Sequence, residues 1–132
     1  MKWEEWDLVA SNEALWRNHE EKGLLKADCL RDYVLRLWFE EDLAVSIYEL
    51  DFYPLFVEED PGEIFLPLRD IERFRSARGD YALVWLNPET GGYDEKAIDI
   101  APECIRFFCE KYGKRLNGAL IPHSRSAPGS IV

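Results

Sequence analysis

Tyr33-Val-Leu-Arg-Leu-Trp-Phe39, Glu40-Glu-Asp42 and Leu43-Ala-Val-Ser-Ile-Tyr-Glu-Leu50 follow one another without a break. Along the first run Tyr33, Leu35, Leu37 and Phe39 share one face of a strand, and Val34, Arg36 and Trp38 share the other. Arg36 between two apolar neighbours marks that second face as half buried. A polar triplet between two apolar runs predicts a hairpin. Leu43 to Leu50, carrying β-branched Val45 and Ile47, is its returning strand.

On either side of this hairpin the signals are shorter. Leu24 to Leu30 reads as an earlier strand, with Arg31-Asp32 as the turn. Pro54 argues against a central strand after Leu50, and Glu58-Glu-Asp-Pro-Gly62 reads as a turn. Pro67-Leu68 leads into a helix from about Arg69 to Ala77, with Ile71 and Phe74 inward. Tyr81 to Leu86 and Ala97 to Ile100 are strands joined by the loop Asn87-Pro-Glu-Thr-Gly-Gly92. Pro102 and Glu103 open a last helix, with Ile105, Phe108, Cys109 and Tyr112 as its apolar stripe and Gly113 at its end. Trp3 and Trp6, three apart, fit one face of a helix covering one end of the core. A further helix is expected from Ser11 or Asn12 to Lys22, burying Leu15, Trp16 and His19. The fold class is α+β: a small antiparallel sheet of about five strands with N-terminal, middle and C-terminal helices packed on it. Residues 1–113 form a single domain, and 114–132 have the composition of a flexible tail.

The 132 residues suffice for one core, and 47% are hydrophobic. No window reaches the roughly 18 apolar residues of a membrane span. Met1-Lys-Trp-Glu-Glu-Trp-Asp7 has no apolar signal core. Cys29, Cys104 and Cys109 show no paired spacing and read as reduced, buried hydrophobes. Together these predict a soluble cytoplasmic protein. The net charge of −10 is uneven: residues 1–60 hold 16 acids against 6 bases, and residues 61–132 hold 10 of each. That field repels nucleic acid and anionic lipid, so direct nucleic-acid or membrane binding is not expected.

No catalytic constellation stands out. His19 and His123 are far apart, and Cys104 and Cys109 have no second pair, so neither a metal site nor a cofactor is predicted. There is no Gly-x-Ser-x-Gly, and Glu103 beside Cys104 raises a thiol pKa rather than lowering it. Asp99 reads as a cap for the amides around Glu103, or as a turn former. The acidic runs Glu40-Glu41-Asp42 and Glu58-Glu59-Asp60 both fall at turns. They are the candidate partner-binding residues, as one acidic face docking a basic protein. On that expectation, changing Glu40, Glu41 and Asp42 to Lys leaves the melting temperature nearly unchanged.

Residues from about Leu24 to Phe108 resemble the domain-of-unknown-function 2442 family. The likeness rests on the order of Leu35-Arg-Leu-Trp-Phe39, the acidic turn, Val45-Ser-Ile-Tyr-Glu49, Pro67-Leu68, Phe74, Val84-Trp85 and Asp99-Ile-Ala-Pro-Glu103. Glu41-Asp42 stands where the family usually has a glycine in its turn, and the loop Pro88 to Glu95 is longer than the family's. The resemblance implies a small antiparallel sheet with a packed helix, an accessory or regulatory role and no assigned chemistry. The expected function is therefore a non-enzymatic interaction or regulatory domain binding a protein partner. Two alternatives are an inhibitor of a nucleic-acid-binding system, such as an antitoxin or a DNA-mimicking phage protein, and a small enzyme using carboxylates near Trp85 and Asp99. The edge at Leu24–Leu30 offers a surface for a homodimer.

Overall fold

The computed structural model describes residues 1–11, 22–116 and 121–122. The expected helix through 13–22 lies almost wholly outside the described residues. The fold is α+β, as expected. Helix α1 (Trp3–Ser11) precedes strands β1 (Leu24–Arg31), β2 (Val34–Glu41) and β3 (Ala44–Asp51). A π-helical turn (Pro54–Glu58), α2 (Gly62–Phe65), a 3-10 turn (Leu66–Arg69) and α3 (Ile71–Phe74) follow. Then come β4 (Arg78–Asp80), β5 (Ala82–Trp85), β6 (Ile98–Ile100), α4 (Pro102–Tyr112), β7 (Lys114–Arg115) and β8 (Ile121–Pro122).

The strands divide into two antiparallel sheets instead of one ladder. The larger runs β1-β2-β3-β7 with β8 also on β3, and the smaller runs β4-β5-β6. They meet where Leu24 and Tyr81 exchange backbone hydrogen bonds of 2.8 and 2.9 Å, which occupies that end of the β1 edge. Gly79 permits the close approach: a Cβ there would lie 2.6 Å from the Lys26 nitrogen. The expected tail begins differently from its composition. Lys114 and Arg115 pair with Glu49 and Tyr48, and Ile121 and Pro122 pair with Val45 and Ala44, so strand pairing continues past Gly113.

The alternation along β2 is realised. Leu35, Leu37 and Phe39 are fully buried, while Arg36 and Trp38 are half buried, with the Lys26 ammonium 4.8 Å from the Trp38 ring. Tyr33 belongs to the turn and not to the strand, at φ 63°; its amide neighbours close through the Phe52 N–H donating to the Tyr33 carbonyl at 2.7 Å. The second hairpin turn is Asp42-Leu43, flanked by the Glu41–Ala44 pair. Leu43 takes φ 59° there, a left-handed conformation that favours glycine.

Aromatic rings fill the core between sheet and helices. Phe52 and Phe56 stack at 5.8 Å, and Trp85 meets Phe56 edge-on at 6.1 Å. The middle helix is shorter than expected and starts at the Asp70 cap: Asp70 Oδ1 accepts from the Glu72 amide at 3.0 Å. Helix α4 has Pro102 in its first turn, and Ala101 at its N-cap makes no side-chain bond. Asp99 is therefore not that cap; it sits exposed in β6, paired with Val84.

Candidate functional site

The two acidic runs are not brought together. The Asp42-Leu43 turn closes one end of the β2–β3 hairpin, and the Val34–Asp51 pair closes the other. Eight residues of strand separate these ends by about 23 Å. Glu58 ends the π-helical turn that starts just beyond the far end, and Glu59 and Asp60 follow it.

Within the first run the residues part company. Asp42 is exposed in the turn, and Glu40 is exposed with its amide donating to the Gly23 carbonyl at 2.9 Å. Glu41 is 8% exposed and points inward. It accepts from Ser46 Oγ at 2.6 Å and from the buried Arg106 guanidinium, with Lys22 Nζ at 3.4 Å. Arg106 in turn bonds Glu110 at 2.9 Å and lies over the Phe39 and Tyr48 rings. Burial works against the Glu41 charge, but the Ser46 and Arg106 bonds prevail and hold its pKa below the usual carboxylate range. Glu41 is a structural ion-pair partner and not part of a docking face; its place on the core-facing side of β2 is the physical reason.

In the second run, Glu58 is exposed. Glu59 Oε1 accepts from the Trp3 amide at 3.3 Å, and its carbonyl accepts from Arg69 at 3.1 Å. Asp60 Oδ1 accepts from the Gly62 amide at 3.0 Å, which turns the chain into α2. This run borders a cleft of about 260 Å³ lined by Trp3, Trp6, Asp7, Asp60, Pro61 and Phe65. Trp3 stacks on Phe65 at 4.9 Å, and Trp6 meets Phe65 at 5.8 Å. Trp3 Nε1 donates to the Leu55 carbonyl at 2.6 Å, which fixes the ring. Helix α1 is clamped from its other side: Glu5 accepts from Lys111 at 2.5 Å and from Tyr112 at 2.5 and 2.7 Å. The sequence held half of this site in the spacing of Trp3 and Trp6. Its other half, Phe65 and Asp60, is far off in the chain and carried no local signal.

Trp85 and Asp99 are not presented together to solvent. Trp85 is fully buried, donating from Nε1 to the Phe74 carbonyl at 3.0 Å, and Asp99 is exposed. Cys104 and Cys109 are buried free thiols whose pKa values burial pushes up, which suits core packing and not nucleophilic attack. Among the described residues no group of three or more His, Cys, Asp and Glu is placed to hold a metal ion. His19 and His123 lie outside them. Among the described residues no helix is long and apolar enough to cross a membrane. A second, larger cleft of about 670 Å³ lies between the 3-10 turn, α3 and the loop after β5. No family model, no curated protein and no solved structure matches the chain.

Proposed function

We propose that the chain is a non-enzymatic interaction domain that docks a basic segment of a partner protein at the cleft between α1 and α2. The observation that carries this is the juxtaposition of the Trp6 and Phe65 rings with the exposed carboxylates of Asp7 and Asp60. A Lys or Arg side chain gains cation–π attraction from such rings and Coulomb attraction from the acids. Glu4, Glu58 and Glu63 are exposed neighbours in the chain and add to the negative field. Of the two runs expected to form one acidic face, only Glu58–Asp60 enters this proposal. The DNA-mimic alternative needs a continuous stripe of free acids, and the inward Glu41 gives it no support. The likeness to the domain-of-unknown-function 2442 family belongs to the same proposal, supported by the order of its strands and helices. A cytoplasmic location is part of it too, supported by three free cysteines.

The test is retention of partners from native lysate at low and high salt, comparing the wild type with a D7K/D60N variant checked for folding by circular dichroism. Asparagine at 60 keeps the Asx turn to Gly62 while removing the charge. Partners held at low salt are expected to be released at high salt and lost in the variant. Partners that the variant retains in full would refute the assignment.

A further inference from the structure

We propose that the cleft walled by Arg73, Arg78 and the loop after β5 binds a small organic anion, a carboxylate carried on a flat apolar body. This site is separate from the α1–α2 cleft and does not depend on it. Its volume of about 670 Å³ suits a small molecule. Pro67, Leu86 and Pro88 supply apolar wall, and two guanidinium groups supply charge.

The polar inventory favours an anion. Two carboxylates also line the cleft: Asp70 caps the helix, and Glu72 is paired with Arg75. Asp70 accepts the Glu72 amide at 3.0 Å, and Glu72 accepts from Arg75 at 3.0 Å. Arg73 is undersupplied with acceptors. It donates to the Lys96 carbonyl at 2.6 Å, and its buried Nε has no hydrogen-bond partner among the described residues. A guanidinium has five donors in a fork that matches a carboxylate, and a buried donor without an acceptor is destabilising. An entering carboxylate would pair with the Arg73 and Arg78 guanidinium groups that line the cleft.

The far wall is built in advance. Asn87, 5% exposed, accepts the Glu89 amide on Oδ1 at 2.9 Å, and its carbonyl accepts the Gly91 amide at 2.7 Å. Lys96 pairs with Glu89 at 2.6 Å, and the Tyr93 hydroxyl donates to Asp80, tying the loop to β4. The −10 charge of the chain opposes any anion at long range, so affinity has to come from contact with the two arginines.

The experiment is amide chemical-shift titration of the full chain with benzoate and, separately, with its neutral isostere benzamide. Benzoate is expected to shift Ser76, Asn87 and Gly91 in the millimolar range and to bind at least about tenfold tighter than benzamide. Arg73→Gln and Arg78→Gln should each bring benzoate down to the benzamide level. Arg78 is exposed on β4, so its variant keeps the test open if the Arg73 variant is unstable. Equal binding of the two probes, shifts centred elsewhere, no shifts at all, or benzoate binding unchanged in Arg78→Gln would each overturn the proposal.

Discussion

Replacing Glu41 by Gln is expected to destabilise the fold severely, although Glu41 belongs to a surface-reading acidic triplet. The side chain is 7% exposed, as is that of Arg106, its partner. Glutamine keeps the shape and an acceptor for Ser46 but removes the charge that Arg106 was buried against. Truncating one member of a buried pair costs about 3–5 kcal/mol, because the other charge is stranded. Arg106 retains Glu110 at 2.9 Å, so the lower end applies, about 3 kcal/mol. For 132 residues the unfolding entropy at the midpoint is about 0.28 kcal/mol/K, so each kcal/mol moves the midpoint by about 3.6 °C. The expected drop in Tm is therefore about 11 °C by circular dichroism at neutral pH. Asp42→Asn, an exposed turn substitution one residue along the same triplet, is expected to stay within about 2 °C.

The double variant Glu41→Leu with Arg106→Leu separates charge stranding from simple loss of packing. Removing both charges leaves no buried ion, so the pair should melt closer to the wild type than Glu41→Gln alone. A Glu41→Gln variant that melts within about 2 °C of the wild type would refute the buried-pair account.

Leu43→Gly is expected to raise stability by about 0.5–1 kcal/mol in thermal melts, because Leu43 is 86% exposed, packs little, and holds φ 59° against its Cβ. Gly79→Ala should cost about 1–3 kcal/mol in the same assay, since the new methyl would lie 2.6 Å from the Lys26 nitrogen and 2.7 Å from its Cα. At Glu5, burial raises the pKa, but bonds from Lys111, Tyr112 and the Lys2 amide outweigh it and lower the value from 4.5 to about 2. A depressed folded pKa gives stability that is present above 4.5 and is lost as pH falls towards 2. The stability difference between the wild type and Glu5→Gln, followed by urea denaturation, should thus be constant above pH 4.5 and vanish near pH 2.

The hairpin was legible because alternation with period two leaves few choices of register. Leu35, Leu37 and Phe39 face the core as their spacing required. The division into two sheets was not legible, because it depends on Gly79 lying against the Lys26 backbone, a contact between residues 53 apart in the chain. The aromatic cleft was half legible for a similar reason. A tryptophan pair three residues apart announces a helix face, but nothing local says that the face will meet Phe65.

Glu41 shows where composition misleads and periodicity does not. Read as one of 26 acids, it looks like part of a solvated run. Read as the next member of the series Leu35, Leu37, Phe39, it falls on the core side of β2. The same step along β3 places Ser46 between Ala44 and Tyr48 on the buried face. On α4, Arg106 lies three positions before Cys109 and so borders the apolar stripe. Three polar residues thus occupy core-facing positions on three elements, where isolated burial would be costly. Their convergence satisfies each one: Ser46 and Arg106 both donate to the same Glu41 oxygen. Such a cluster is consistent with a single register for the β2–β3 hairpin, because a one-residue slip would bury Glu40 and turn Glu41 away from Arg106.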